Sequence, residues 1–306
     1  PVGLTGSGRS VSADGGTPHP VLIDTGKQVL STAQAQLEAF DGVAIDSYEL
    51  EYGGLYYGVD TTLGYRLGDW GALALGVRWV LVQYTFKADA VYQVTASAIG
   101  GGGLDVPIEI EALARDNATS IMVGVHLTPA DGIEVGVHYR HLARVSLEID
   151  SERDNTGLFS DGAKIERDLP GYLSVGVDYA LTDDVSLSGS AEYYFHGPVN
   201  WGERPDGQPT MALYDDGWVM ALAGEWSLGD AWTLSCGYHF LKSGANEQVR
   251  DARETGLDKH SVAAGATFDM TERLDLTLGF GVGQYVDGTD AAGTRFYSGR
   301  VLGGAL

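Results

Sequence analysis

The sequence predicts an all-β protein, a transmembrane antiparallel β-barrel. Three observations predict this fold class. Apolar residues alternate with polar or small residues over many long segments. The connections between these segments alternate between tight turns and long polar loops. Aromatic residues gather at two levels, one near the turns and one near the loops, as they do at the two interfaces of a membrane.

The alternation has the period of a β-strand. In one segment, Leu173, Val175 and Val177 alternate with Ser174 and Gly176. Strands of soluble proteins usually have about 5–6 residues, and these segments continue well beyond that length. The second face carries Ser, Thr, Gly, Ala and scattered charges, which suits a lumen rather than a core. A soluble β-sandwich or propeller is the alternative interpretation.

The pattern predicts about eleven strands. They lie near residues 49–67, 70–87, 108–127, 133–150, 166–181, 185–196, 213–228, 232–243, 259–270, 274–285 and 296–306. Bacterial single-chain barrels usually have an even number of strands, and the first predicted strand runs from a long loop to a short turn at Gly68. We therefore expect further strands before it in a longer sequence: at least one, with three as the preferred number.

Residues 49–306 are expected to form the barrel strands, and residues 1–48 an outer loop segment with a short helix. The helix is expected within residues 21–40, where apolar residues share one helical face. These residues are Val29, Leu30, Ala33, Leu37 and Phe40. Two interpretations stay open: a cover for the barrel mouth, or an ordinary packed loop helix.

The connections indicate which end of each strand faces outward. Long polar stretches lie near residues 89–107, 151–165, 197–212, 244–258 and 286–295. Outer-membrane barrels have short periplasmic turns and longer outer loops. Aromatic residues near the short turns include Trp70, Tyr179, Trp226, Trp232 and Phe268, and those toward the long loops include Tyr139, Tyr193, Phe195, Trp218, Tyr238 and Tyr285.

Composition excludes several classes of protein. The 306 residues carry 42 acidic and 19 basic side chains, a net charge of −23, so we expect no nucleic-acid partner. The single cysteine, Cys236, excludes a disulfide framework and a Cys-ligated zinc site. The His residues are scattered and no Gly-x-Ser-x-Gly elbow occurs. We therefore expect no enzyme, no cofactor and no metal site.

Strand parity places several charged side chains on the lumen side, because a charge facing lipid costs about 2–4 kcal/mol at mid-membrane. Among them, Arg78, His138 and Arg140 are candidates to hold a carboxylate or another polar head. The alternative is that they pair inside the barrel, as buried charges must. The candidate partners are Asp178, Glu192 and Glu225.

The strand near residues 70–87 has a second feature. Its inward positions are apolar, unlike those of its neighbours. These positions are Val80, Val82, Tyr84 and Phe86. An apolar lumen wall suits a hydrophobic ligand, so we predict that these residues contribute to substrate binding. The alternative is that a loop or a plug packs against them.

Three stretches resemble transporters of the FadL type, which carry long-chain fatty acids and other hydrophobic compounds across the outer membrane. The first stretch is Leu169-Pro170-Gly171-Tyr172, together with the alternating segment that begins at Leu173 and the Thr182-Asp183-Asp184 turn that follows it. The second is Asp215-Asp216-Gly217-Trp218 followed by Ala223-Gly224-Glu225-Trp226. The third runs from Asp230-Ala231-Trp232-Thr233 through Tyr238. The hairpin around Thr271-Glu272-Arg273 continues the resemblance, which covers roughly residues 49–306. It implies a barrel of 14 strands with an N-terminal plug, of which this sequence would hold strands four to fourteen.

The resemblance also implies a function. Members of the family bind a hydrophobic molecule at the outer face, pass it to an interior pocket and release it sideways through a kinked wall. The expected partners are a hydrophobic small molecule and the lipid and lipopolysaccharide of a bacterial outer membrane. The acidic net charge repels anions, which favours a neutral hydrocarbon over a fatty acid, or else a saline habitat in which salt screens the charge. Two alternatives stay open: a diffusion porin for small solutes, and a docking barrel among other envelope proteins.

Overall fold

A computed structural model describes most of the chain. The described residues are 2–14, 42–95, 103–157, 159–203, 207–229, 231–248, 256–271, 274–289, 296–297 and 299–305. Within them, no helix is long and apolar enough to cross a membrane. Nearly all of these residues lie in strands or in the connections between strands, and one turn of 3₁₀-helix occupies Thr210–Leu213.

Sixteen strands occur in the described part of the chain. In chain order they are β1 (Val2–Asp14), β2 (Gly42–Arg66), β3 (Gly71–Thr95), β4 (Gly103–Ala130), β5 (Ile133–Arg140), β6 (Ser146–Asp154), β7 (Lys164–Glu166), β8 (Gly171–Ala180), β9 (Val185–Phe195), β10 (Gly217–Leu228), β11 (Trp232–Lys242), β12 (Lys259–Thr271), β13 (Leu274–Tyr285), β14 (Gly288–Thr289), β15 (Phe296–Tyr297) and β16 (Arg300–Ala305).

Twelve of these strands follow one another along one sheet in chain order. The order is β1-β2-β3-β4-β5-β8-β9-β10-β11-β12-β13-β16, with β6 and β7 branching from β4. Every strand pair with a resolved register in this sheet is antiparallel. Each strand therefore follows its neighbour through a hairpin-type connection, as in up-and-down barrels.

All eleven predicted strands have a counterpart among the twelve consecutive strands of this sheet, in which β1 is additional. Val2–Asp14 forms β1, which pairs with β2 from Val59 to Ser47. Residues 1–48 were expected to form an outer loop segment, so this strand and the start of β2 at Gly42 differ from that expectation. The helix expected within residues 21–40 lies outside the described residues.

The predicted strand near residues 133–150 is divided in two. Both parts pair with β4, β5 with its Met122–Ala130 part and β6 with its Ile110–Arg115 part. On the other side, β5 pairs with β8 and β6 pairs with β7. Between them the chain makes one isolated bridge, from Ala143 to Leu169. The predicted strand near residues 166–181 likewise begins only at Gly171, because Pro170 has no N–H group to donate to a ladder.

The contacts divide the chain into two compact units. Unit 1 comprises residues 1–59, 79–119 and 144–167, and unit 2 comprises residues 60–78, 120–143 and 168–306. Strands β2, β3 and β4 each contribute residues to both units.

Unit 1 has an aliphatic interior and a charged exterior. Buried side chains include Val82, Ile110 and Leu147, each at most 1% exposed. Along β4 and β6, acidic residues stand next to these buried ones, among them Glu111 and Glu148. The carboxylate of Glu111 pairs with Lys87 and accepts a hydrogen bond of 2.9 Å from Arg153. A face that carries ion pairs is compatible with contact to water and not with contact to acyl chains, so this part of the sheet is not lipid-facing.

Unit 2 shows the opposite pattern on its outer face. Leu173, Val175 and Val177 are 37–40% exposed rather than buried under a second layer of protein. Large apolar side chains are exposed in the same way along β9 to β13, among them Leu222 and Leu278. The face opposite to these side chains, here called the inner face, carries small and polar residues. On β8 and β9 these are Ser174, Gly176, Asp178, Ser186, Ser188 and Ser190.

The loops at the non-turn end of unit 2 pack together. Val199 and Leu213 of the connection between β9 and β10 are buried there, as is Leu257 of the connection between β11 and β12. The buried Asp168 accepts a hydrogen bond from the backbone N–H of Asn200, 3.0 Å away, which ties two connections together. Ordered packing of this kind holds the loops in place beside the strands that they join.

One carboxylate in these loops has a perturbed pKa. Asp216 accepts hydrogen bonds of 2.7 Å from the Tyr193 hydroxyl and from the backbone N–H of His196. These bonds, the one from Tyr193 most of all, stabilise the ionised form and lower the pKa of Asp216 below its usual range. Asp216 therefore stays ionised and fixes the start of β10.

Candidate functional site

The residues predicted to bind substrate fall into two groups. Arg78, His138 and Arg140 belong to unit 2, whereas Val80, Val82, Tyr84 and Phe86 belong to unit 1. Among the described residues, no group of His, Cys, Asp and Glu side chains could hold a metal ion.

Arg140 lies in a cross-strand row on the inner face of unit 2. It stands opposite Tyr172 of β8, which stands opposite Tyr194 of β9. Residues that face each other across antiparallel strands project to the same side. The guanidinium carbon of Arg140 lies 4.5 Å from the centre of the Tyr172 ring, a cation–π contact, and the two tyrosine rings are 5.5 Å apart.

His138 extends this row. It is two residues before Arg140 on β5, so it projects to the same inner face. Its ring lies 5.3 Å from that of Tyr172. Glu192 accepts a hydrogen bond of 2.6 Å from the Tyr194 hydroxyl. We call the five residues His138, Arg140, Tyr172, Tyr194 and Glu192 the aromatic row.

Arg78 has a carboxylate partner that the sequence analysis did not propose. Its Nη1 lies 3.5 Å from Oδ2 of Asp60, and both side chains are mostly buried, at 26% and 20% exposure. Asp178, Glu192 and Glu225 were the expected partners, but the pairing is between neighbouring strands. Oδ1 of Asp60 and Nε of Arg78 are buried without a hydrogen-bond partner among the described residues. Both side chains are near enough to act electrostatically on Arg140.

Arg140 itself forms no ion pair within the described part of the chain. Its positive charge meets the faces of aromatic rings instead. The aromatic row therefore offers a cation, ring faces and one carboxylate to anything that occupies the inner face. It is suited to binding and orienting a molecule, and it contains no nucleophile held by a base.

The four apolar candidates lie within unit 1. Val80 and Val82 are 2% and 0% exposed, so they form part of a packed interior rather than an open wall. The ring of Phe86 stacks on that of Phe159, whose centre is 4.9 Å away. The hydroxyl of Tyr84 is hydrogen-bonded to that of Tyr56. The alternative interpretation, that a loop packs against this strand, matches the position of Phe159, which lies in the connection after β6.

Tyr172 and Tyr194 were not among the residues predicted to bind substrate. Both positions have inward parity: Tyr172 precedes the outward Leu173, and Tyr194 follows the outward Tyr193. The parity signal was present, but it does not tell which inward residues of different strands stand opposite each other.

Comparison with known proteins decides the family. The family described as outer membrane protein transport protein (OMPP1/FadL/TodX) matches residues 56–295, which is most of the chain. The chain belongs to the OMPP1/FadL/TodX family. It is therefore an outer-membrane transport protein of Gram-negative bacteria, and the predicted family, location and class of protein are confirmed. No curated protein matches the chain by sequence.

Solved structures with the same fold include two clear matches. A FadL homologue from Pseudomonas aeruginosa is 17% identical with a TM-score of 0.54, and the match covers 85% of this chain and 67% of the homologue. A TodX monoaromatic hydrocarbon channel with the deltaS2S3 mutation is 11% identical with a TM-score of 0.57, covering 98% and 77% of the two chains. The predicted fold class, an all-β transmembrane antiparallel β-barrel of the FadL type, is thus confirmed.

A weaker match is the toluene transporter TbuX of Ralstonia pickettii. It is 12% identical with a TM-score of 0.48, and the match covers 79% of this chain and 74% of TbuX.

Proposed function

We propose that this OMPP1/FadL/TodX protein is a channel for the passive uptake of neutral hydrophobic molecules, with hydrocarbons preferred over fatty acids. The observation that carries the proposal is the aromatic row on the inner face of unit 2. Transport of this kind needs only binding and release, so no cofactor is required. The outer-membrane lipid and lipopolysaccharide around the barrel are its further proposed partners.

The row suits a hydrocarbon because ring faces bind other rings and CH groups at little cost. Each aromatic contact contributes about 0.5–1.5 kcal/mol beyond its buried area. Tyr172 offers such a face between His138 and Tyr194. The TodX channel with the same fold is described as a monoaromatic hydrocarbon channel, which agrees with this proposal.

The charges around the row argue against an anionic substrate. Arg78 is already paired with Asp60, and Glu192 adds a negative charge beside Tyr194. Arg140 is the remaining cation, and the chain as a whole carries a net charge of −23. A carboxylate would have to approach against this charge, whereas a neutral hydrocarbon would not.

The test compares two tyrosines on the same strand. Tyr172→Ala removes the ring at the centre of the row, and Tyr179→Ala is its matched control, because Tyr179 lies on β8 with an exposed, outward ring. The readout is uptake of radiolabelled toluene and oleate by Gram-negative cells that contain no other channel of this family. At toluene concentrations below saturation, we expect Tyr172→Ala to lower toluene uptake by about two- to tenfold and Tyr179→Ala to leave it unchanged.

Arg140→Gln separates the two substrate classes. Toluene uptake should change little, because a neutral ring does not need the charge. If oleate uptake exceeds toluene uptake and is lost in Arg140→Gln, the substrate is a fatty acid and the preference proposed here is wrong. If sugars enter at the same rate as toluene, the protein is a diffusion porin.

A further inference from the structure

A groove of about 660 Å³ runs along the outer, lipid-facing surface of unit 2. Gly189 and Ala191 of β9 form its floor, and the large side chains of the neighbouring strands form its walls. Gly189 stands opposite Val177 on one side and Leu222 on the other, and Ala191 stands between Val175 and Met220. Opposite residues share a face. Since the four wall residues are exposed, the groove opens outward and not to the inner face.

The loop end of this groove lies at the level of an aromatic girdle. Trp218 and Tyr238 line it, and Tyr193 stands opposite Trp218. Aromatic side chains with a polar atom prefer the boundary between acyl chains and headgroups. The hydroxyl of Tyr238 makes a hydrogen bond of 2.6 Å with Nδ1 of His260. The groove therefore reaches from the acyl region up to the headgroups of the outer leaflet.

Basic side chains cluster at this end of the groove. Lys242 stands opposite Trp218. His260 stands opposite Gln284, which stands opposite Arg300 and accepts a hydrogen bond of 3.1 Å from its Nε. We call Lys242, His260 and Arg300 the basic row. Neither Lys242 nor Arg300 forms an ion pair within the part of the chain that the structure describes.

Two carboxylates lie close to the basic row, and both have other partners. Asp216 accepts hydrogen bonds from Tyr193 and from the backbone of His196. Asp258 accepts a hydrogen bond of 2.9 Å from the backbone N–H of Ser243. Among the described residues, neither carboxylate forms an ion pair with Lys242 or Arg300, so these two cations can still pair with an external anion, although the chain as a whole is strongly acidic.

We propose that this groove binds a phosphorylated, acylated lipid of the outer leaflet. One acyl chain lies over Gly189 and Ala191, and the phosphate lies against the basic row. An apolar groove alone would accept the chain of any lipid. The basic row adds selectivity for an anionic headgroup, because Lys and Arg near a membrane surface attract anionic lipids by about 1 kcal/mol each.

The experiment uses lipid A and its dephosphorylated form as probes. The full-length protein is placed in nanodiscs that contain one of the two lipids in phosphatidylethanolamine, and native mass spectrometry counts the lipid molecules that it retains. We expect lipid A to be retained in preference to the dephosphorylated form. The double variant Lys242→Gln/Arg300→Gln should lose this preference, with a decrease of about fivefold for each charge removed.

Groove filling gives an independent test. Ala191→Leu places a larger side chain on the floor and should lower retention of lipid A. Its matched control is Ala264→Leu, also exposed on the outer face but outside the groove lining. Arg66→Gln is the matched control for the charge variants, because Arg66 ends β2 at a short turn. Heat-modifiable migration on gels verifies that each variant is folded.

Three results would overturn the proposal. The first is equal retention of lipid A and its dephosphorylated form by the unaltered protein. The second is unchanged retention in the folded charge variant or in Ala191→Leu. The third is displacement of lipid A by millimolar inorganic phosphate, which would show that the basic row binds free phosphate rather than a lipid.

Discussion

The ion pair between Asp60 and Arg78 offers a sharp test of how the inner face is stabilised. Asp60→Asn keeps the shape of the side chain and removes its charge. The guanidinium of Arg78 is 3.5 Å from the Asp60 carboxylate and mostly buried, and it would then have no ion-pair partner in the part of the chain that the structure describes. Its Nε already lacks a hydrogen-bond partner among the described residues, so the remaining structure offers little compensation.

The expected cost follows from the burial of the pair. Removing one partner of a fully buried pair costs about 3–5 kcal/mol, whereas exposed pairs are worth little. The two side chains here are 26% and 20% exposed. We therefore expect Asp60→Asn to lower the free energy of unfolding by about 1–3 kcal/mol. The double variant Asp60→Asn/Arg78→Gln should recover part of this loss, because it leaves no unpaired charge.

The assay is reversible urea unfolding in phospholipid vesicles, followed by tryptophan fluorescence. Asp69→Asn is the matched control, since Asp69 pairs with Arg66 at 4.0 Å on a fully exposed turn, and it should leave stability unchanged. The reasoning is refuted if Asp60→Asn and Asp69→Asn change the free energy of unfolding equally. It is also refuted if the double variant loses as much unfolding free energy as its two single variants together.

Two further outcomes are expected from the loops. Hydrogen bonds from Tyr193 and the His196 backbone depress the pKa of Asp216 in the folded state. The stability that the ionised Asp216 contributes is therefore fully present above the pKa that this residue has in the unfolded chain, and it is lost as the pH falls through the lower pKa of the folded state. Urea midpoints measured from pH 6 to pH 3 should therefore fall less steeply for Asp216→Asn than for the unaltered protein, and parallel curves would contradict this. Gly244→Ala should cost more than the about 1–3 kcal/mol typical of a strained backbone, because Gly244 has φ of +79° and an added Cβ would collide with the Asp215 carbonyl. Gly162→Ala, at φ of +73° with open space around it, is the control; an equal loss of unfolding free energy in the two variants would rule out the collision.

Strand parity predicted the faces of the sheet well. Leu173, Val175 and Val177 are exposed on the outer face, and His138 and Arg140 project to the inner face. This works because a strand has a period of two, so a single outward residue fixes the direction of all its neighbours. The short turns were predictable for a related reason, since Gly and Asp mark them locally.

Features that depend on contacts between distant parts of the chain could not be predicted from the sequence. Val145, Leu147 and Ile149 keep the alternation of the preceding strand, so nothing in the pattern shows that the ladder breaks after Arg140 and that the partner on one side changes from β8 to β7. The partner of Arg78 depends on the register of a neighbouring strand, which the sequence of one strand does not specify. For Val80 and Val82 parity predicts the side on which they lie, and only the fold shows what covers them.

The turn between β2 and β3 has a consequence for how deeply unit 2 sits in the bilayer. The strand ends beside this turn carry the exposed apolar residues Leu63, Tyr65 and Leu73, and the turn itself carries the exposed ion pair of Arg66 and Asp69. Two residues advance a strand by roughly 6.6 Å. Displacement by that amount toward the acyl chains would bring the ion pair to them, and displacement the other way would expose Leu73 to water. The turn therefore opposes vertical movement of unit 2 in its membrane.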